Sequence, residues 1–274
     1  MTRLAEASIA LVGAGRMGGA MLRGWLDLGI AAERLSVFDP QPGQDIAALC
    51  GTRGLALNPP PERVGAVDIV ILAVKPQTLD AVAPGVAPMV GAETLLLSVI
   101  AGKTIADLAA RLPAAGAIVR AMPNTPAAVG RGITGVALGG PLSAERRESV
   151  DRLLQAVGRV EWLDDERLLD AVTAVSGSGP AYVFYLVECL AKAGERAGLE
   201  PGLAMRLARA TVEGAGELMY REAGVEPAML RRNVTSPGGT TAAGLEILTG
   251  PAGLDELMGR AVAAAKRRSE ELAG

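Results

Sequence analysis

The feature that most constrains the fold is a glycine-rich turn near the N-terminus. Residues 13–18 read GAGRMG, the apolar run SIALV lies before them, and a helical run begins at Met17. In a strand–turn–helix unit, this glycine spacing permits a tight turn and lets the backbone approach a pyrophosphate at the helix N-terminus, where N–H groups are unpaired. The turn therefore predicts a dinucleotide-binding unit, with a plain strand–helix turn as the alternative.

The residues up to Trp162 have the rhythm of an α/β fold with a Rossmann-type doubly wound sheet. Short runs that are apolar almost throughout alternate with helical stretches, as expected for strands covered by helices on both faces. The predicted strands are 8–12, 35–38, 67–73, 94–99, 117–121 and 134–138. The predicted helices are 17–28, 45–50, 76–90, 105–112 and 143–157.

After Trp162 the strand pattern disappears, and helices are predicted at 166–175, 181–197, 202–223, 227–232, 241–248 and 254–271. We therefore assign residues 1–163 to a Rossmann domain and 164–274 to an all-α domain. The stretch AYVFYLVECL is apolar on nearly every helical face, which indicates burial on several sides. Because so small a helical domain cannot cover this surface alone, we expect it to be a dimerisation domain.

Composition argues against several classes of function. The net charge of −3 and the absence of a basic run disfavour a nucleic-acid or anionic-membrane surface, and no apolar stretch has the length of a membrane span. The start of the chain leads directly into a strand rather than a signal peptide, and Cys50 and Cys189 have the surroundings of buried free thiols. We expect a cytoplasmic protein.

The chain contains no histidine. This removes Ser-His-Asp hydrolysis, a catalytic Cys-His pair, His-ligated zinc and the histidine base common in hydroxy-acid dehydrogenases. The acidic residues are scattered in pairs typical of solvated helix faces, so we expect no metal site. The reaction must proceed without imidazole chemistry.

The second predicted strand ends at Asp39, where a carboxylate can accept hydrogen bonds from the ribose hydroxyls of a dinucleotide. A 2′-phosphate would be repelled there, and the next arginine along the chain is Arg53. Taken alone, this position favours NADH over NADPH. The alternative interpretation is that Asp39, which precedes Pro40, only caps a turn.

Three rigid loops follow later predicted strands, with the sequences AVKPQ (73–77), SVIAG (98–102) and RAMPNTPAAVGRG (120–132). Ligands of open α/β sheets bind outside the carboxyl ends of the strands, so these loops are expected to form a wall of the binding crevice. Prolines fix their extended backbone. A lone lysine such as Lys75 would more often be a solvated surface residue.

Two further glycine-rich loops lie in the helical half. SGSGP (176–180) joins two predicted helices, with Pro180 expected at the first helical position, and SPGGTT (236–241) opens another helix. Free N–H groups and the positive end of the helix dipole favour a carboxylate at such a place, and a threonine hydroxyl can share a proton with a ligand. Simple helix capping is the alternative.

The motifs GAGRMG, AVKPQ, RAMPNTP, DAVTAVSGSGPAY and NVTSPGGTT occur in this order and spacing in pyrroline-5-carboxylate reductases, which the chain resembles over nearly its whole length. The resemblance implies reduction of the cyclic imine 1-pyrroline-5-carboxylate to L-proline, with NADPH or NADH as cofactor. It also implies that the helical domain interlaces with its partner in a homodimer, and that five dimers often form a decamer. Asp39-Pro40 departs from the Ser, Asn or Arg frequent in the family, in which many members prefer NADPH.

The resemblance also implies the site residues. The threonine that matches Thr241 contacts the substrate near its ring nitrogen, which makes Thr241 the candidate catalytic residue. The candidate substrate-binding residues are Glu166, Ser176, Val234, Ser236, Gly239, Thr240 and Thr241. The candidate cofactor-binding residues are Gly13, Ala14, Gly15, Arg16, Met17, Gly18, Asp39, Asn58, Ala73, Val74, Lys75, Pro76, Ala101, Gly102, Met122, Pro123, Asn124 and Asn233.

Three other functions remain as alternatives. A β-hydroxyacid dehydrogenase would need a catalytic lysine on a helix of the second domain, and the lysines after Thr104 are Lys192 and Lys266, neither in the expected pattern. A general imine reductase would leave the anion-binding loop SPGGTT without a purpose. A nucleotide-sensing protein without turnover would bind the dinucleotide and release it unchanged.

Overall fold

The computed structural model describes residue 4 and residues 6–273, which separate into two compact units. The first unit comprises the described residues up to Gly177 together with those from Lys266 onward, and the second unit is Ser178–Ala265. The predicted boundary at 163/164 coincides with the end of the sheet, whereas the compact units divide later, after Gly177.

The first unit is built on a sheet of eight strands formed by the described residues. The strands are β1 (Ile9–Val12), β2 (Leu35–Phe38), β3 (Ala56–Leu57), β4 (Ile69–Leu72), β5 (Leu95–Ser98), β6 (Ala117–Met122), β7 (Gly132–Leu138) and β8 (Gly158–Trp162). Their order is β3-β2-β1-β4-β5-β6-β7-β8, parallel from β3 to β6, and β7 is antiparallel to β6. Successive strands are added on one side of β1 up to β3 and on its other side from β4 onward, so the carboxyl ends of β1 and β4 form a topological switch point for ligand binding.

Both faces of the sheet are buried, as the continuous apolar runs predicted. In β4, Ile69 and Ile71 contribute to the core on one face and Val70 and Leu72 to the core on the other. Along a strand successive side chains point to opposite faces, so a strand between two helical layers needs an apolar residue at every position. The doubly wound architecture is confirmed.

The helices of the first unit are α1 (Arg16–Asp27), α2 (Gln44–Arg53), α3 (Pro61–Val64), α4 (Leu79–Val86), α5 (Ile105–Arg111), α6 (Ala144–Gln155) and α7 (Leu168–Val172). The prediction of one helix over 76–90 was wrong, because 3₁₀ turns at Pro76–Thr78 and Ala87–Met89 flank α4. Each of these turns contains a proline, which lacks the N–H that a continuous helix needs. The prediction for 166–175 was also incomplete, since α7 continues into a π-turn at Thr173–Gly177.

The second unit is helical throughout its described residues, with α8 (Gly179–Arg196), α9 (Pro201–Arg221), α10 (Pro227–Asn233) and α11 (Thr240–Leu248). α12 (Leu254–Ala273) begins in the second unit, and its residues from Lys266 onward belong to the first. Pro180 is the second residue of α8, not the first as predicted. Of the helices in the described part of the chain, none combines the length and hydropathy that a bilayer-spanning segment requires.

Large apolar side chains are exposed along the second unit. Val183, Tyr185, Leu186 and Leu190 are all more than 40% exposed, whereas its buried apolar side chains, among described residues, are alanines. α8 and α9 approach each other closely, since a Cβ added at Gly194 would lie 3.2 Å from the Cβ of Ala204. The small residues between these helices leave the large ones facing outward, as the sequence predicted.

Candidate functional site

The glycine turn between β1 and α1 has the geometry of a dinucleotide cradle. Gly13 has φ +91°, and a Cβ there would lie 2.7 Å from the Ala73 carbonyl oxygen. A Cβ at Gly18 would lie 2.1 Å from the Gly13 carbonyl oxygen, so helix and strand can pack only around glycine. In contrast, a Cβ at Gly15 would meet nothing within 4 Å, which leaves open space where a pyrophosphate approaches.

The N-terminus of α1 is open toward the same space. Gly15 is its N-cap, and no side chain caps the first turn. Arg16 is exposed at this position, and Met17 is half-buried. Unpaired N–H groups, the positive end of the helix dipole and a guanidinium together favour a negatively charged group.

Asp39 lies beside this turn and holds it in place. Its Oδ2 accepts the Ala14 N–H at 2.8 Å, and its Oδ1 accepts the Gln41 N–H at 2.9 Å. The carboxylate therefore caps a turn, as the alternative interpretation proposed, and also contacts the glycine loop. Because each carboxylate oxygen can accept two hydrogen bonds, acceptor capacity remains for ribose hydroxyls.

Asn58 fixes the backbone of Asp39 from the neighbouring strand end. Its Oδ1 accepts the Asp39 N–H, and its Nδ2 donates to the Asp39 carbonyl oxygen, both at 2.8 Å. Asn58 has φ +50°, a left-handed conformation that asparagine tolerates better than most residues. Its role in this structure is to position Asp39.

The loops after β4 and β5 begin at the carboxyl edge of the sheet, where the glycine turn also lies. Ala73 donates its N–H to Val12 at 2.8 Å and so continues the pairing of β4 with β1. Lys75 is exposed, and among the described residues its ammonium has no acidic partner, which leaves a free cation at this edge. Gly102, in the loop after β5, adopts φ +67° and follows the exposed Ala101.

An ion pair between a buried arginine and a half-buried glutamate joins β6 to the turn before α7. Arg120 in β6 is 5% exposed, and its Nη1 donates to Glu166 Oε1 at 2.9 Å. The same oxygen accepts the N–H of Ile105, the first residue of α5, at 2.8 Å. A charge inside the protein requires such a partner, because desolvation of an unpaired ion is costly.

Asn124 follows β6 and connects it to the π-turn. Its Nδ2 donates to the Ser176 carbonyl oxygen at 3.1 Å, and its Oδ1 accepts the Ile133 N–H at 3.0 Å. The Ser176 hydroxyl donates to the carbonyl oxygen of Val172, the last residue of α7, at 3.0 Å. π-turns are uncommon and occur frequently at functional sites.

The loop SPGGTT lies in the second unit and leaves its hydroxyls and a helix N-terminus without partners among the described residues. Gly239 is the N-cap of α11 with no side-chain cap, and Gly238 adopts φ +68°. Among the described residues, the hydroxyls of Ser236, Thr240 and Thr241 have no hydrogen-bond partner, and these three residues are exposed. The loop thus presents free donors at the N-terminus of a nine-residue helix.

The structure brings most of the predicted cofactor residues together at the carboxyl edge of the sheet in the first unit. These are Gly13, Ala14, Gly15, Arg16, Met17, Gly18, Asp39, Asn58, Ala73, Val74, Lys75, Pro76, Ala101, Gly102, Met122, Pro123 and Asn124. Glu166 and Ser176 belong to the same unit. Asn233, Val234, Ser236, Gly239, Thr240 and Thr241 belong to the second unit.

Sequence reasoning missed the role of Arg120. The residue begins the motif RAMPNTP, and a charged residue in the apolar strand AIVRAM is the signal that points to it. Sequence reasoning likewise gave no indication that Asp39 would bond the Ala14 N–H, because that contact joins two strand ends.

Two protein-family models match the chain. One, described as pyrroline-5-carboxylate reductase dimerisation, covers residues 166–272. The other, described as NADP oxidoreductase coenzyme F420-dependent, covers residues 8–102 and so includes the glycine turn, Asp39 and Ala101. The dimerisation match begins four residues after the end of β8, and residues 103–165 lie in neither match.

Known proteins are similar over nearly the whole chain. The pyrroline-5-carboxylate reductase of Pseudomonas aeruginosa is 42% identical over 266 residues, which is 97% of this chain and 96% of the relative. That of Mycobacterium tuberculosis H37Rv is 39% identical over 288 residues, 97% of each chain. Among solved structures, the Coxiella burnetii pyrroline-5-carboxylate reductase has a TM-score of 0.89 at 31% identity, covering 98% of this chain and 99% of its own. The Plasmodium falciparum pyrroline carboxylate reductase with NADP bound has a TM-score of 0.79 at 28% identity, covering 98% of both chains.

Proposed function

This chain belongs to the pyrroline-5-carboxylate reductase family, and from that premise we infer how its residues act. It is an oxidoreductase that reduces 1-pyrroline-5-carboxylate to L-proline with NADPH or NADH, the last step of proline synthesis. The observation that carries this function is the 42% identity over 97% of the chain to a reductase of that name. A general imine reductase or a β-hydroxyacid dehydrogenase is not favoured.

The experiment that tests the function is a reduction assay with the purified protein. We expect NADPH or NADH absorbance at 340 nm to fall when 1-pyrroline-5-carboxylate is added, and proline to accumulate in equal amount. A cyclic imine without a carboxylate serves as the control substrate, and we expect it to react far more slowly. Cofactor binding without proline formation would instead support the sensor alternative.

The glycine turn fits the dinucleotide. The residues that would hold its pyrophosphate are Gly13, Gly15 and Arg16, because a Cβ has no room at the first position and open space lies at the second. Asp39 would face the adenosine ribose, and Lys75 would supply a cation for the phosphates. When bound, the nicotinamide supplies the hydride, and the protein supplies position and electrostatics.

The SPGGTT loop would hold the substrate. Its free N–H groups at the start of α11 suit a carboxylate, which Ser236, Gly239 and Thr240 would bind, while Val234 and Ser176 would line the ring. Thr241 would donate to or accept from the imine nitrogen and is our candidate catalytic residue. Asn233 would contact the cofactor from the same segment.

The chemistry agrees with a chain that lacks histidine. A protonated cyclic imine is already an electrophile, so the enzyme chiefly has to align its carbon with the hydride donor. Orientation of this kind can supply on the order of 7–11 kcal/mol of barrier reduction in favourable cases. A hydroxyl and a set of N–H groups are sufficient for that task.

The protein is an oligomer, and we propose a homodimer formed by residues 164–274, with five dimers assembling into a decamer. The exposed apolar side chains of α8 support the dimer, because an obligate interface of about 2,000 Å² or more would cover them. In this arrangement the SPGGTT loop would face the Rossmann domain of the partner subunit, and sedimentation with activity measured on each species tests it.

We also propose a cytoplasmic location without nucleic-acid or membrane partners. Cys50 and Cys189 are free, but only Cys50 is buried; Cys189 is half-buried, so the expectation of burial was wrong for it. Burial raises the pKa of the Cys50 thiol. Unpaired cysteines are typical of a reducing compartment. Cell fractionation with activity measured in each fraction tests the location.

A further inference from the structure

Arg120 is a buried cation for which the proposed reaction gives no role. It lies in β6 between Val119 and Ala121, both fully buried, and its side chain is only 6% exposed. Its partner is Glu166, with 2.9 Å between Nη1 and Oε1. Because removal of one member of such a pair strands a charge away from water, the two residues form one unit.

The same carboxylate oxygen also binds the first turn of α5, which Thr104 and Asp107 already cap. Oε1 of Glu166 accepts the Ile105 N–H at 2.8 Å. The connection from Ser98 to Ile105 contains Ala101 and Gly102, which we assign to the cofactor site. One oxygen atom therefore fixes the far end of that loop to β6.

The segment that begins at Glu166 is fixed to the β6 side at its other end as well. Asn124 Nδ2 donates to the Ser176 carbonyl oxygen at 3.1 Å, so residues 166–177 are held at both ends by polar groups from β6 and the loop that follows it. Between these points, the Ser269 hydroxyl donates to Asp170 at 2.6 Å. The π-turn that carries Ser176 thus has a fixed position in the first unit.

We propose that Arg120 and Glu166 are positioning residues for hydride transfer. The pair holds the Ala101–Gly102 turn and the Ser176 turn at a fixed separation, and Glu166 acts through its bonds to Arg120 and Ile105 rather than as a substrate contact. This inference rests on the proposed function and extends it. It also gives Glu166 a different role from the one that the family resemblance implied.

The test compares Glu166→Gln, Glu166→Ala and Arg120→Lys with the wild-type protein. Glu166→Gln keeps an oxygen for the Ile105 N–H but removes the charge that pairs with Arg120, and Arg120→Lys keeps a cation. We expect kcat to fall on the order of 10- to 100-fold in Glu166→Ala, because a displacement of about 1 Å near the reacting atoms has this effect. Glu166→Gln and Arg120→Lys should retain part of that activity, with KM for the imine within about threefold of wild type.

Hydrogen exchange supplies a readout that does not depend on the reaction. We expect the Ile105 amide and its neighbours in α5 to exchange at least about tenfold faster in Glu166→Ala, since the N–H loses its acceptor. The matched control is Glu93→Gln, which breaks the Arg146–Glu93 pair (2.8 Å) just before β5, at the opposite edge of the same sheet. That variant should leave kcat and Ile105 exchange unchanged.

The outcomes separate the competing roles. A raised KM for the imine with kcat unchanged in Glu166→Gln would overturn the proposal in favour of direct substrate binding. A lower unfolding temperature with kcat and KM unchanged would reduce the pair to a structural role. If the wild-type protein does not reduce the imine, the proposed function fails, and Ile105 exchange still decides whether Glu166 positions α5.

Discussion

The two units differ in how completely each one buries its large apolar side chains and pairs its buried charges. In the first unit, Trp25, Met21 and Leu22 are entirely buried, and the cation of Arg120 has its carboxylate. In the second unit the described buried apolar side chains are Ala191, Ala204 and Ala208, while Leu186 and other large residues are exposed. A core made of alanine buries little apolar area, so the second unit gains little stability by itself.

This difference suggests that the first unit forms its site within one chain, whereas the second unit depends on a partner. The first unit fixes its cofactor edge through contacts within one chain, as Asn58 does for Asp39. The second unit presents free hydroxyls at Thr240 and Thr241 and an apolar face on α8, both of which need another molecule. We therefore expect substitutions in the second unit to act through assembly and those in the first unit to act within the chain.

The largest expected effect is on assembly. The double variant Leu186→Asp/Leu190→Asp places two charges on the α8 face, where the side chains are 47% and 43% exposed. We expect the dimer dissociation constant to rise roughly 1,000-fold or more, since truncation of central interface residues alone has effects of several kcal/mol. Sedimentation at micromolar concentration measures the change, and imine reduction should be lost with the dimer.

The control for this variant is Leu28→Asp, which charges an apolar side chain that is 52% exposed in the first unit. It should remain dimeric and active. A fully active monomer of the double variant would contradict both the interface and the shared site, and it would remove the contrast between the units.

The next effect concerns Thr241. Thr241→Ala should lower kcat/KM by roughly 10- to 1,000-fold, the range for loss of one hydrogen bond at a reaction centre. Thr249→Ala is the matched control, because the Thr249 hydroxyl donates to the Leu245 carbonyl oxygen at the other end of α11. If both variants retain wild-type kcat/KM, Thr241 is only a residue of the first turn of α11.

A smaller effect is expected at Asp39. We predict that NADH is used within about one order of magnitude of NADPH, because a carboxylate binds ribose hydroxyls but repels a 2′-phosphate. Asp39→Ser should move the ratio of kcat/KM values toward NADPH. It should also weaken binding of both cofactors, since the Ala14 N–H loses its acceptor.

Asp45→Ser is the control for that variant, since Asp45 pairs with Arg23 at 3.2 Å on the exposed face of α2. It should leave the cofactor ratio unchanged. A strong wild-type preference for NADPH would mean that Asp39 serves the loop alone and does not select the cofactor.

The sequence was sufficient for elements whose pattern is decided locally. β1 and β4 were predicted because every residue is apolar, and α11 because a glycine pair precedes it. β8 was missed because GRVEW alternates polar and apolar residues, as suits the edge of the sheet. The π-turn at Thr173–Gly177 could not be predicted, because its last residues are held by Asn124, far away in sequence.

The site residues also divide into those that local sequence predicts and those that depend on contacts distant in sequence. The glycine turn could be identified from spacing, since only glycine fits where a Cβ at residue 18 would lie 2.1 Å from a carbonyl oxygen. The Arg120–Glu166 pair joins a strand to the turn before α7, 46 residues later, a separation over which sequence spacing carries no information. Long-range polar contacts of this kind depend on the assembled sheet.

The smallest expected effect compares helix caps in the two units. Glu200 caps α9 with both oxygens, which accept the N–H groups of Gly202 and Leu203 at 2.8 Å. The bond from Gly202, and then that from Leu203, holds the pKa of Glu200 below its usual value. Because the folded-state pKa is lowered, this stabilisation is present above the unfolded-state pKa and is lost as pH falls through the folded-state pKa.

Glu200→Ala should therefore lower the unfolding temperature by roughly 1–3 °C at pH 7, and the difference should shrink below about pH 4.3. Ser143→Ala removes a neutral cap from α6, where the Ser143 Oγ accepts the Arg146 N–H at 3.3 Å, so its effect should not change over that range. Calorimetry of both variants at pH 7 and pH 3.5 makes the comparison, and an acid-independent effect of Glu200→Ala would show that helix packing, rather than the charged cap, stabilises α9.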